Sequence, residues 1–541
     1  MLCMDTPFPL TPALSLRERG KVSQCSNCCG IPVSRVRTAF LPLPEGEGRG
    51  EGEGCKWFSK ANGWSGIELC PATCLSPAVC SSVGTLWRWL TDLGSQLNPS
   101  PSLSFPNLWV PAFAASLLAV AALPAAAQSD FQGATHMVPF EEDTISYNKT
   151  PSTGPIVRLQ NRINRGEVKL KFDPAAGGWR DSLLAALEIS PKSQTLLFSK
   201  TSLQRERISP QTPRAVFFSD DVYIGWIPHA PVMEISEVDP KLGGVFYTLE
   251  QTASDRPQFV RNNQCLECHA SAKTMGVPGH LIRSFKTDEQ GIIDLITGVS
   301  EVNHRTPLED RWGGWYVTGT HGKVTHRGNL FGKAAFQKAE EKPNHLGNLT
   351  SLKKLVDLDG FASPHSDIVA LMVLEHEAHL HNFLTRLHYE TTMALSRYQH
   401  IRYLRSMSEG FLKYLLFTEE TPLKAKVKGT SGFAEHFAAL GPKDNRGRSL
   451  RQLDLETRLF KHPCSFLIYS EAFDLLPKPM REHILQRLHE ILTGQDTSPE
   501  FARIEPDTRR ALLEILRDTK PNLPAYWREQ GHKEAPRPAV P

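Results

Sequence analysis

The feature that most constrains this chain is the short run Cys265-Leu266-Glu267-Cys268-His269. Two cysteines separated by two residues and followed by a histidine form the attachment signature of c-type haem. Both thiols add to the vinyl groups of the porphyrin, and the adjacent imidazole ligates the iron from one face. The sequence therefore predicts one covalent haem c, with Cys265 and Cys268 as the thioether residues and His269 as an axial ligand.

The cysteines are distributed unevenly along the 541 residues. Eight of the 11 lie within the first 80 residues, and the haem motif and Cys464 supply the other three. Residues 1–107 show neither helical nor strand periodicity, and we expect them to be a non-native or disordered extension. The net charge of +3 gives no reason to expect a nucleic-acid partner.

Residues 108–127 form an apolar run that ends in Ala125-Ala126-Ala127. Such a run with small residues at its end is typical of a secretory signal peptide, which predicts a mature chain beginning at Gln128. An uncleaved membrane anchor is the alternative, because the run approaches spanning length. We expect a periplasmic or exported protein, in which no other segment is apolar enough to span a membrane.

The organisation after the signal peptide predicts an α+β fold that differs from the standard small cytochrome c fold. We expect a strand-rich haem domain over 128–345, a helical domain over 346–530 and a disordered tail over 531–541. Runs rich in β-branched and aromatic residues predict strands at 168–172, 195–199, 215–218, 222–227, 232–235, 245–249, 280–285, 292–299 and 314–318, with a turn at 288–291. Helical patterns lie at 181–187, 366–404, 411–417, 435–440, 450–460, 470–475, 482–493, 501–504 and 508–518, and 331–360 is typical of a linker or flap.

The second axial position of the iron has no well-placed methionine. Met275 follows His269 too closely to wrap round the ring, and Met372 lies about a hundred residues further on. Histidines are therefore the better distal ligands, and His376 and His381 lead because a long helix is a rigid platform. Further candidates are His280, His304, His321, His326 and His379. For most of them a solvated or hydrogen-bonded position is the alternative. In the run from His376 and Glu377 to His381, the second histidine comes one residue too late for a zinc motif of the H-E-x-x-H type.

Four arginines are candidates for pairing with the haem propionates. For any one of them a surface ion pair is the commoner arrangement. The aromatic and glycine-rich run 311–319 fits either a wall against a large flat ligand or a core strand. The four arginines are Arg283, Arg305, Arg311 and Arg386.

Several stretches of the chain resemble a family of exported bacterial proteins that is frequent in planctomycetes and usually called cytochrome c domain-containing. These stretches are 198–204, 220–226, 265–269, 277–281, 311–319 and 517–521, and the resemblance covers roughly residues 150 to 530. The resemblance implies thioether links at Cys265 and Cys268 and axial ligation by His269. It implies no mechanism, because the family has no established activity.

Electron transfer through one six-coordinate haem, with an unidentified redox partner, is the function that the sequence favours. A haem enzyme, peroxidase-like or acting on another small molecule, is an alternative in which Glu377 or a histidine serves as the acid–base group. A haem-based redox or gas sensor is a second alternative, although no transmitter or DNA-binding segment follows. An exported dithiol at Cys265 and Cys268 is a reading without haem.

Overall fold

An antiparallel sheet of seven strands forms the centre of residues 138–528, the part of the chain that the computed structural model describes. The strands are β1 Thr195–Leu197, β2 Arg214–Phe218, β3 Val222–Trp226, β4 Val232–Asp239, β5 Gly243–Glu250, β6 Phe259–Arg261 and β7 Trp315–Tyr316. Their order in the sheet is β6-β5-β4-β3-β2-β1-β7, so consecutive strands from β1 to β6 are neighbours.

The two faces of the sheet carry different side chains because strand residues alternate between faces. Ile224, Ile235 and Val245 share one face and belong to an apolar core. Helices α1 (Pro155–Asn164) and α2 (Arg180–Ala186) contribute buried residues to that core. The opposite face is more polar, and we call it the motif face because it carries the side chains beside Cys265.

Helix α5 (Ile368–Tyr398) packs against part of the motif face. Its first turn is capped by Asp367, whose carboxylate accepts hydrogen bonds from the backbone nitrogens of Val369 and Ala370 at 2.8 and 3.3 Å. Every residue from Ile368 to Leu387 is buried, so this helix forms the centre of the second core rather than its surface.

The C-terminal part of the described chain is mostly helical. Together with the antiparallel sheet that precedes it, this part confirms the predicted α+β class. Besides α1, α2 and α5, the helices are α3 Leu266–His269, α4 Gly332–Glu341, α6 Arg405–Leu415, α7 Phe433–Ala439, α8 Glu471–Asp474, α9 Lys478–Leu492, α10 Pro499–Ala502 and α11 Pro506–Thr519. Among the described residues, no helix is both long and apolar enough to cross a membrane.

Several of the local predictions are wrong. The predicted strand at 168–172 pairs with no other strand, and the apolar runs at 280–285 and 292–299 meet in the single bridge Ser284–Val299. The predicted helix at 450–460 is instead an irregular bend closed by the isolated bridge Leu453–Phe460. Residues 331–360, which we expected to be a linker or flap, contain α4. The predicted extension, signal peptide and tail lie outside the described residues.

Candidate haem-attachment site

The cysteine motif begins directly after strand β6, on a turn followed by one short helix. The side chain of Asn262 accepts a hydrogen bond from the backbone nitrogen of Gln264 at 3.0 Å, which starts a single 3₁₀ turn, and α3 then carries the rest of the motif. Cys265 and Cys268 are three residues apart and therefore lie on one side of this helical segment. Both are free thiols, half-buried at Cys265 and exposed at Cys268. The turn thus presents two adjacent thiols to an incoming ligand.

The imidazole of His269 is oriented by a backbone carbonyl. Its Nδ1 lies 2.9 Å from the oxygen of Gly279. A carbonyl can only accept, so Nδ1 carries the proton and Nε2 keeps its lone pair. Within residues 138–528 no hydrogen bond to Nε2 of His269 is found. Burial lowers the pKa of His269, which keeps the ring neutral, and a neutral ring with an open Nε2 is the form that binds iron.

An ion pair crosses the sheet beside Cys265. Arg214 of β2 reaches over Gly225 of β3 to Glu234 of β4, with 2.9 Å between Nη2 and the carboxylate. A Cβ at Gly225 would collide with the guanidinium, so glycine is needed for this crossing. Burial, reinforced by the nearby Glu234 charge and opposed by Arg214, raises the pKa of Cys265 to about 11. The pair therefore lies close enough to act on the attachment site.

Arg283 is the predicted propionate partner that acts most directly on the motif. Its charge influences both Cys268 and His269, and its guanidinium lies 4.7 Å from the ring centre of Phe285. It forms no ion pair within the described residues, and burial lowers its pKa. An arginine without a carboxylate partner is available to a propionate.

The other three predicted arginines already bind carboxylates. These ion pairs fit the alternative stated above, except that Arg311 and Arg386 are buried rather than on the surface. Arg214 was not predicted, because its closeness to the motif depends on strand register. The three pairs are Arg305 with Glu419, Arg311 with Glu375, and Arg386 with Glu390.

Several large apolar side chains are exposed in β6 and in the segments 198–204 and 284–299. Val260 lies in β6, just before the cysteines, and Leu203 lies between two residues that donate hydrogen bonds to Glu234. A second group belongs to the segment 284–299, which is joined to the 198–204 turn by a bond from the Lys200 nitrogen to the Gly291 oxygen. The second group consists of Ile292, Leu295 and Ile296.

The predicted distal ligand His376 is buried in the helical core. Its Nδ1 lies 3.0 Å from Nδ1 of His304, and its Nε2 lies 2.7 Å from Oγ of Ser465. Both ring nitrogens are therefore engaged, and iron ligation would require giving up one of these bonds. Ser465, His376 and His304 in series resemble the catalytic relay of a hydrolase. All three side chains are buried, however, and a substrate cannot reach them.

The predicted distal ligand His381 is also engaged. Its Nε2 lies 2.7 Å from the backbone oxygen of Asp220, while its Nδ1 is buried without a partner in the described residues. His280 lies nearer the motif, yet its Nε2 lies 3.0 Å from Oγ of Ser236. Among the described residues no hydrogen bond or ring contact joins His269 to His376 or His381, and the identity of a distal ligand stays a prediction.

The other candidate histidines also have local partners. Nδ1 of His321 lies 2.7 Å from the Val324 oxygen, Nδ1 of His326 accepts from the Gly328 nitrogen at 3.0 Å, and His379 pairs with Glu301. Among the described residues, no group of three or more histidine, cysteine or acidic side chains is arranged to hold a metal ion. These histidines therefore function as hydrogen-bonding side chains in the present conformation.

Comparison with known proteins finds no counterpart: no family model, curated protein or solved structure matches this chain. The third free thiol, Cys464, is not a second reactive centre, because burial raises its pKa to about 12. The haem assignment therefore depends on the motif and on the residues that surround it.

Proposed function

We propose that this protein is an exported electron-transfer protein that carries one c-type haem, linked to Cys265 and Cys268 and ligated by His269. The observation that carries the proposal is the bond from His269 Nδ1 to the Gly279 carbonyl, beside two free thiols three residues apart. This arrangement leaves Nε2 open, as axial ligation requires. A bound haem of this kind supplies one-electron exchange between its ferric and ferrous states.

The surrounding residues have defined parts in this proposal. Arg283 and Arg214 would balance the negative propionates, because each lies beside the motif and Arg283 has no carboxylate partner in the described residues. Val260 and Leu203 would lose their exposed apolar surface to the macrocycle. The carbonyl of Gly279 keeps the His269 ring in one tautomer and raises its basicity, which favours the ferric state.

A haem enzyme is the second candidate, and the Arg214–Glu234 pair is the observation that favours it. A charged acid–base pair beside an open iron position is suited to moving protons onto a bound small molecule. Electron transfer is preferred because it requires no substrate-binding position beyond the attachment site itself.

The test is maturation of the full chain in a bacterial host that exports it and attaches c-type haem. We expect haem staining to persist on a denaturing gel for the wild type and for Cys464→Ala, and to disappear for Cys265→Ala/Cys268→Ala. Cys464 is a matched control because it is a free thiol outside the motif. A wild-type band without stain would refute the haem proposal.

Optical spectra of the matured protein separate the two candidates. Electron transfer predicts a low-spin spectrum that cyanide and peroxide leave unchanged, because both axial positions are filled. A haem enzyme predicts a high-spin spectrum that both reagents alter. The second result would replace electron transfer with the enzyme while leaving the attachment site intact.

A further inference from the structure

The Gly279–His280 peptide is bonded on both sides. Its carbonyl, from Gly279, accepts the hydrogen bond from His269 Nδ1 at 2.9 Å. Its N–H, from His280, donates to Oδ1 of Asn382 at 2.8 Å. Because a peptide unit is planar, fixing its N–H also fixes the direction of its carbonyl. A chain of two hydrogen bonds therefore runs from Asn382 through one peptide to the imidazole.

Asn382 holds this segment with both ends of its side-chain amide. Besides accepting from the His280 nitrogen, it donates from Nδ2 to the His280 oxygen at 2.7 Å. Asn382 is almost completely buried at 1% exposure, so water does not compete for either bond. A Cβ at Gly279 would collide with the Asn382 amide, which shows how closely the segment lies against α5.

The rest of the segment is anchored at other points. The Gly279 nitrogen donates to the His269 oxygen at 2.8 Å, and the Gly244 nitrogen of β5 donates to the Pro278 oxygen at 2.9 Å. Arg386 of α5 donates to the Met275 oxygen at 2.7 Å. These bonds keep the backbone in place when Asn382 is changed, but none of them restrains the N–H of the Gly279–His280 peptide.

We propose that Asn382 is a positioning residue for the axial ligand: through the Gly279–His280 peptide it fixes the tautomer and basicity of His269. Hydrogen bonds in series polarise one another, so the Asn382 bond also strengthens the bond that His269 donates. The proposal deepens the proposed function by tying the ligand to the helical core. Its redox consequence rests on the proposed haem binding. The chain of hydrogen bonds is formed by protein atoms alone and is present without haem.

The first experiment measures the His269 tautomer by ¹⁵N NMR in the haem-free chain at a pH where the ring is neutral. The wild type is expected to show mainly the Nδ1–H form. Asn382→Ala should raise the share of the Nε2–H form by about threefold or more, as losing part of one hydrogen bond predicts. At a pH where its carboxyl is also neutral, Asn382→Asp should keep the wild-type tautomer, because the acid retains an acceptor for the His280 nitrogen and a donor for the His280 oxygen.

The second experiment measures the midpoint potential of the matured protein. A less basic imidazole stabilises the ferric state less, so Asn382→Ala should shift the ferric–ferrous equilibrium about three- to tenfold toward the ferrous form. That change corresponds to about 30 to 60 mV upward for a one-electron couple. With its carboxyl neutral, Asn382→Asp should move the potential by less than Asn382→Ala.

Leu387→Ala is the control for lost stability. Leu387 is buried on α5 five residues further along, which points it away from the face that Asn382 occupies, and its truncation leaves the segment untouched. The proposal is overturned if Leu387→Ala changes the tautomer or the potential as Asn382→Ala does. It is also overturned if Asn382→Ala changes neither, or if Asn382→Asp matches Asn382→Ala. If the wild type takes up no haem, the proposed function fails, and the tautomer measurement still decides the role of Asn382.

Discussion

His269 and His376 show how differently one side chain is used in two regions of this molecule. His269 lies in a short turn at the edge of the motif face, with one nitrogen bonded to a carbonyl and the other open. His376 lies inside the helical core, with one nitrogen against His304 and the other against Ser465. An open nitrogen beside accessible thiols is available for ligation, whereas a fully bonded, buried ring stabilises packing. The state of each nitrogen therefore separates a candidate ligand from a structural histidine better than its helix position does.

The largest expected effect comes from a substitution in the helical core, which is the buried half of this comparison. Arg311 pairs with Glu375, which also accepts from Trp312 Nε1 at 3.1 Å, and all three side chains are buried. Burial raises the pKa of Glu375 to about 7, although Arg311 acts to lower it. Arg311→Met removes the counter-charge and should lower the free energy of unfolding by about 3–5 kcal/mol. Urea denaturation measures the loss, and a change below about 1 kcal/mol would show that the pair is not a structural centre.

Substituting the two histidines tests the comparison directly. His376→Phe leaves Nδ1 of His304 without a partner and removes one bond of the Ser465 hydroxyl, which should lower the free energy of unfolding by about 1–3 kcal/mol with the haem spectrum unchanged. His269→Phe should lower it by about 0.5–1.5 kcal/mol and alter the haem spectrum, because a ligand is lost. Thermal unfolding and optical spectra of both variants check this. A spectrum altered by His376→Phe alone would reverse the two assignments.

The pH dependence of stability should report on Glu377. Burial, reinforced by Asp220 and Asp221, raises the pKa of Glu377 well above its usual value, and Arg451 opposes the shift. Near pH 4 Glu377 is neutral in the folded chain and mostly neutral in the unfolded chain, whereas at higher pH the unfolded chain ionises first and becomes favoured. Glu377→Gln should therefore gain about 1.4 kcal/mol relative to the wild type for each unit of pKa difference as pH rises to 7. Urea denaturation at pH 4 and 7 measures the gap, and a gap independent of pH would contradict the raised pKa.

The sheet was predictable where the local pattern and the tertiary fold agree. Strands β2 to β5 consist of β-branched and aromatic residues bounded by turn formers, and each was located within a few residues. The predicted helix at 450–460 failed because Asp454 binds the backbone nitrogens of Glu456, Thr457 and Arg458, which favours a turn over a helix. Helix α4 was missed because its charged residues show little apolar periodicity.

The site was predictable only as far as its contiguous residues. Cys265, Cys268 and His269 follow from their spacing alone. Arg214 and Asn382 are 51 and 117 residues from Cys265 and lack any local motif, since one depends on strand register and the other on how α5 packs. A single sequence does not encode such distant contacts in a readable pattern. The helix pattern favours His376 and His381 as ligands, but the hydrogen-bonding state of their nitrogens is a property of the folded core.

The most direct test of the central claim is the mass of the proteolytic peptide that contains Cys265 and Cys268, taken from the exported, matured protein. This peptide is expected to carry the mass of one haem, with neither cysteine free to react with a thiol reagent. Two reactive thiols or a disulfide in this peptide would contradict it, provided that a known c-type cytochrome made in the same cells is fully haem-loaded.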